Sequence, residues 1–166
     1  MSVETTGTPL FERIDHVSLT VPDLAAAAAF YKAVFGAEEL FSLGPMDGRD
    51  IPPDEQGRDW MATHVNVPDA RLSLVMLKLA PNMKLQLVQY DRPKDEARLM
   101  PRNCDPGGRH VGFIVSDIDA AAKRLAENGC TVFEQIVVPE GAGAGRFHYV
   151  LDPWGNQIEL CQYAPA

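Results

Sequence analysis

Four polar side chains stand where β-strands have no structural need of them: His16 and Gln86 in the first half of the chain, His110 and Glu159 in the second. Gln86 lies between Leu85 and Leu87, and Glu159 lies between Ile158 and Leu160. Two imidazoles, one carboxylate and one amide carbonyl make a donor set of two nitrogens and two oxygens. Such a set suits one borderline divalent ion, Zn, Co, Ni, Mn or Fe, with water in the remaining positions. It carries a single formal negative charge, so a bound ion keeps a net positive charge that polarises a substrate oxygen.

The elements that must bring the four together are legible as an internal repeat. DHVSLTVPDLAAAA, from Asp15 to Ala28, lies over RHVGFIVSDIDAAA, from Arg109 to Ala122, and LQLVQY, from Leu85 to Tyr90, lies over IELCQY, from Ile158 to Tyr163. Each half therefore begins and ends alike, and the first is longer between its two signatures. His16 to Val21 and His110 to Val115 are strand-length runs of β-branched and aromatic residues that stop at proline or polar residues. Asp23 and Asp117 stand where a carboxylate accepts from the first free amides of a helix, and Gly36 and Gly129 where a helix ends in a left-handed turn. In the first helix, Leu24 to Phe35, an apolar stripe through Leu24, Ala27, Ala28, Tyr31 and Val34 or Phe35 requires a sheet to pack on.

Three strands are predicted after each helix. They are Glu39 to Leu43, Arg71 to Leu79 and Lys84 to Tyr90, then Thr131 to Val138, Arg146 to Leu151 and Gln157 to Tyr163. The turns Pro81-Asn82 and Asp152 to Asn156 join the last two of each set. The expected fold class is α+β, with two βαβββ modules in one cup-shaped mixed sheet. Residues 11–163 form a single domain of two modules, 11–90 and 108–163, with a connector at 91–107 and a frayed tail at 1–10. Strand alternation puts Val17, Leu19 and Val21 under the helix and turns His16 to the opposite, concave side, and it does the same for His110. If a pseudo-twofold axis relates the modules, the four polar positions converge.

Composition narrows the function classes. Fifteen Lys and Arg against 23 Asp and Glu give a net charge of −8, the wrong sign for tracking phosphate backbones, so no nucleic-acid partner is expected. The longest apolar run, Leu24 to Tyr31, is far short of the roughly 20 residues of a membrane span, and no secretory leader is legible in the first ten residues. No membrane partner and a cytoplasmic location are the expectation. Three cysteines, Cys104, Cys130 and Cys161, without a CxxC pair, read as reduced thiols.

IDHVSLTVPDLAAAAAFYKAVFGAEEL, HVGFIVSDIDAAAKRLAENG and YVLDPWGNQIEL together resemble the vicinal oxygen chelate superfamily, which contains glyoxalase I, methylmalonyl-CoA epimerase, extradiol dioxygenases and antibiotic-resistance proteins. The resemblance runs from about Phe11 to Tyr163. It implies the glyoxalase-like fold, homodimerisation, and a divalent metal chelated by two neighbouring oxygens of a small-molecule substrate. His16, Gln86, His110 and Glu159 match the metal ligands, in the order found in methylmalonyl-CoA epimerase. The implied activity is a metal-dependent isomerase or lyase, most like an epimerase, moving a proton next to the chelated carbonyl of a small acid or thioester. A weak carbon acid ionises near neutrality only if its developing oxyanion is held by a positive centre.

Glu159 is then both ligand and candidate base. Glyoxalase I matches less well, because Gln86 stands where that enzyme has a glutamate. The epimerase pattern also wants a second acid on a first-half strand. Arg71 to Leu79 holds none, whereas Asp59, Asp69 and His64 stand near its start, His64 reading either as an acid or base or as a partly exposed strand-end histidine. Alternatives are a ring-opening extradiol-type dioxygenase and a metal-free binding or resistance protein. Tyr149 matches a cavity-lining position of the resistance-type members and is a candidate substrate contact. Arg146 is a candidate for an anionic substrate group. His148, on the other face from Tyr149, reads as structural or surface, and Cys161, two residues from Glu159, as a small buried hydrophobe. Gly44 to Trp60, rich in proline and glycine, reads equally as a lid or pocket wall and as a solvated surface loop.

Overall fold

The computed structural model describes residues 14–93, 104, 108–141 and 143–164. The first module runs β1 (His16–Thr20), α1 (Leu24–Phe35), β2 (Glu38–Asp47), a short 3-10 turn (Gly48–Asp50), α2 (Trp60–Val65), β3 (Arg71–Ala80) and β4 (Met83–Arg92). The second runs β5 (Val111–Ile114), α3 (Ile118–Glu127), β6 (Thr131–Val132), β7 (Ile136–Val138), β8 (Gly145–Leu151) and β9 (Gln157–Tyr163). The α+β architecture of two related modules is as the repeat predicts. Hydrogen bonding divides the strands into two sheets, ordered β1-β4-β3-β2 and β5-β9-β8-β6, with β7 also on β8. β1 is parallel to β4 and β5 is parallel to β9, so the two signatures of each half lie side by side.

Three local expectations are corrected. Thr131 to Val138 is broken into β6 and β7, between which Phe133 N still donates to Tyr149 O at 2.9 Å. His64 lies on the inserted helix α2 and not at a strand end. The connector expected at 91–107 starts later, because β4 continues through Arg92. Most of that connector, and the tail at 1–10, lie outside the described residues.

The helix boundaries follow from their caps. Asp23 accepts from Ala26 N and Asp117 from Ala120 N, each at 2.9 Å, and Gly36 closes α1 at φ 70°. The glutamine before the final tyrosine of each terminal signature adds a tertiary cap: Gln89 Oε1 accepts from Leu24 N at 2.7 Å, and Gln162 Oε1 from Ile118 N at 3.4 Å. Strand and helix of each half are thus tied at the same relative position.

Burial sorts the strand faces. Leu19, Val75, Leu77, Leu85 and Leu87 are buried against Ala27, Ala28 and Tyr31 of α1. Ile158, Leu160 and Val150 are buried with Ile118 and Leu125 of α3 and with Val34 of α1, so α1 serves both modules. Each such aliphatic side chain contributes roughly 1.5–3 kcal/mol by leaving water. On the opposite face of the first sheet, Leu72 and Val88 are buried by Met61 of α2 and by Ala70. The inserted segment is therefore a wall standing on the concave face. Its base is held by Arg92, which pairs with both Asp47 and Asp69, while Arg49 reaches Asp69 through two bonds of 2.8 and 2.6 Å. Arg92 holds the Asp47 carboxyl below its usual range, and Arg49 does the same for Asp69.

Candidate active site

Glu159 and His110 are brought together in the second module. His110 directly precedes β5, and Glu159 lies on β9 across from Gly112, two residues beyond His110. Side chains two apart share a face, so both project to the side away from α3. His110 Nε2 lies 3.3 Å from Glu159 Oε2. Tyr149 on β8 is the cross-strand partner of Glu159, and its ring meets the His110 ring edge-on at 5.4 Å. Burial, and then the nearby Glu159 charge, push the Tyr149 phenol up, so it stays protonated and available as a donor. Burial and Glu159 likewise raise the Cys161 thiol and keep it neutral.

Gly112 makes room beside this pair. A methyl group placed there would lie 3.8 Å from both Glu159 Oε2 and Cys161 Sγ, so the floor next to the carboxylate is bare. Nothing in the sequence pattern singled out this glycine except its place two residues after His110.

The first module contributes His16 and Gln86 on its own exposed face. Gln86 is half-buried on β4 between Ser18 of β1 and Met76 of β3, its flanking leucines turned to α1. His16 lies across from Lys84, and its Nδ1 is 2.9 Å from Asp15 Oδ2. A groove of about 990 Å³ opens where β1 approaches β5, lined by His16, Lys84, Gly112, Ile14 and Ile114 among others. Among the described residues, no three His, Cys, Asp or Glu side chains are gathered closely enough to hold an ion. Neither His16 nor His64 joins the His110–Glu159 pair at that range.

The donor chemistry nevertheless fits a divalent ion. Two imidazoles, an amide oxygen and a carboxylate line the two exposed strand faces. With Nδ1 of His16 engaged by a carboxylate, its other nitrogen is available, which is the arrangement that metal-ligating histidines commonly show.

Two of the remaining candidates are placed elsewhere. Arg146 points to the helix side of β8, where it donates to Asp119 Oδ2 at 2.8 Å and to Gln162 Oε1 at 2.9 Å. The alternation that sends Tyr149 into the cup sends Arg146, three residues earlier, the other way. His64 stacks on Trp60 with ring centroids 4.3 Å apart, and its Nδ1 lies 2.9 Å from Trp60 O, so it belongs to the wall. His148 is engaged with Phe133 O at 2.7 Å.

The sequence model of the Glyoxalase/Bleomycin resistance protein/Dioxygenase superfamily matches residues 13–160. A 2-epi-5-epi-valiolone epimerase from an Actinomyces species is 37% identical over 158 residues, covering 93% of this chain and 81% of that protein. An ethylmalonyl-CoA/methylmalonyl-CoA epimerase from Cereibacter sphaeroides is 33% identical over 121 residues, 72% of this chain and 73% of that one. The fold is also similar to the crystal structure of a glyoxalase family protein from Bacillus cereus, with a TM-score of 0.73 at 19% identity over 97% of this chain and 100% of the other.

Proposed function

Because this chain belongs to the Glyoxalase/Bleomycin resistance protein/Dioxygenase superfamily, we propose that it is a divalent-metal-dependent epimerase that moves a proton on the carbon next to a carbonyl. The observation that carries this reading is the His110–Glu159 pair, a carboxylate on an open sheet face beside a potential ligand. The epimerase names of the two relatives support the reaction type. His16, Gln86, His110 and Glu159 are the residues that would hold the ion. When bound, it would supply Lewis-acid polarisation of the substrate carbonyl.

The chain's own groups account for the rest. Glu159 accepts the proton from carbon, and a proton delivered to the opposite face by solvent water entering the open cup, not by Glu159, inverts the centre. Tyr149, protonated and directly across the strand pair from Glu159, donates to a substrate oxygen. Gly112 leaves the space in which the reacting carbon approaches the carboxylate. The wall of α2 limits the cup on the first-module side.

The test is deuterium incorporation, followed by NMR in D2O, into 2-epi-5-epi-valiolone and into methylmalonyl-CoA by the metal-reconstituted protein. Exchange of the proton next to the carbonyl is expected for at least one of them, with Glu159→Gln slowing it by about 100-fold or more. Full exchange by Glu159→Gln, or none by the parent protein, overturns the reading.

A further inference from the structure

We propose that Asp15 is a positioning residue for His16, holding the imidazole proton on Nδ1 so that Nε2 presents its lone pair to the cup. The inference rests on the metal-site reading above, and its first test is independent of it.

Asp15 Oδ2 lies 2.9 Å from His16 Nδ1, and Asp15 Oδ1 lies 2.6 Å from Lys84 Nζ. Lys84 is the β4 residue directly across from His16, so one carboxylate is clamped between two cross-strand neighbours. An ionised carboxylate only accepts hydrogen bonds, so the ring nitrogen facing it must be the one that carries the proton. In a neutral imidazole the second nitrogen is then an acceptor or ligand. Lys84 occupies the other oxygen and fixes the carboxylate's direction.

The repeat itself shows that this is not a general requirement of the strand. The residue corresponding to Asp15 in the second half is Arg109, which has donors only. His110 instead turns Nε2 toward Glu159. The two halves therefore orient their histidines differently: His16 meets the carboxylate of its sequence neighbour through Nδ1, and His110 meets that of a residue on the neighbouring strand through Nε2. Stability does not explain the Asp15 carboxylate either. The Asp15 side chain is 57% exposed, and exposed ion pairs contribute little to folding.

The experiment uses Asp15→Ala and Asp15→Asn beside the parent protein. Ring 15N NMR of the metal-free proteins, above the pH at which imidazole is protonated, reads the tautomer of His16, and Mn2+ titration followed by electron paramagnetic resonance reads affinity. The parent is expected to hold the proton on Nδ1. Asp15→Ala is expected to shift it toward Nε2 and to weaken Mn2+ binding about 10–100-fold. Asp15→Asn, whose amide oxygen still accepts, should lie between. A parent His16 protonated mainly on Nε2, or a tautomer that Asp15→Ala leaves unchanged, overturns the inference. Absence of Mn2+ binding by the parent overturns the metal reading instead, while the tautomer still decides the role of Asp15.

Discussion

The phenol of Tyr31, on the first helix of the first module, donates to Asp152 Oδ2 in the second module at 2.9 Å, and the pair is buried. Asp152 is the hub of the β8–β9 turn. It accepts from Trp154 N at 2.9 Å, from Asn156 N at 2.8 Å and from Asn156 Nδ2 at 2.8 Å. Burial and the Asp152 charge keep the phenol protonated well above its ordinary range. The helix that serves the first sheet is thereby fastened to the turn that leads into the Glu159 strand.

Tyr31→Phe should therefore destabilise the whole domain. A hydrogen bond to a buried charge contributes about 1.5–3 kcal/mol, and the phenylalanine ring preserves the packing. Urea unfolding should show that loss with an unchanged slope. A change below about 0.5 kcal/mol would mean that the turn holds Asp152 without help from α1.

Gly112→Ala separates folding from chemistry. The added methyl makes ordinary contacts at 3.8 Å, and relief of glycine's backbone entropy offsets any local adjustment, so stability should stay within about 1 kcal/mol. The space beside Glu159 is filled, however, and kcat/KM for proton exchange should fall about tenfold. Unaltered kinetics would place the reacting carbon elsewhere on the face.

Acid should loosen the wall before the cores. Asp47 and Asp69 have carboxyl groups held below their usual range by Arg92 and Arg49. For a group whose folded value is depressed, the stabilisation is present above the unfolded value of about 3.9 and is lost as pH falls through the folded value. Protection of the Trp60–Val65 amides, measured against their intrinsic exchange rate at each pH, should therefore fall on acidification through that window, ahead of Leu85 and Leu87. Arg92→Ala should already show faster exchange of α2 at neutral pH. Synchronous exchange of wall and core would refute a separable wall.

Metal should stabilise the parent protein and not the variant His16→Ala/His110→Ala. At a free metal concentration about 100-fold above Kd, linkage predicts about 2.7 kcal/mol of added stability. Thermal unfolding with and without chelator measures it, and elemental analysis of the reconstituted protein should find about one equivalent of a divalent ion. Equal behaviour of the two proteins would show that the histidines hold no ion.

Much of this molecule is written locally. The caps Asp23, Asp117 and Gly36 and the bounds of α1 depend on hydrogen bonds and periodicities within a few residues, and all are legible in the repeat. The alternation of apolar and polar residues also determines that His16 and Glu159 avoid the helix-packed faces, because burying either there would strand a polar group in an apolar core. What only the tertiary structure decides is proximity. His64 lies in a helical wall because Met61 must cover Leu72 and Val88, a demand made by residues distant in sequence. Arg146 is spent on Asp119 because α3 passes behind β8. The pairing of His110 with Glu159, the bare floor at Gly112 and the clamp of Asp15 between His16 and Lys84 are set by strand register, which arises only when separate segments pack.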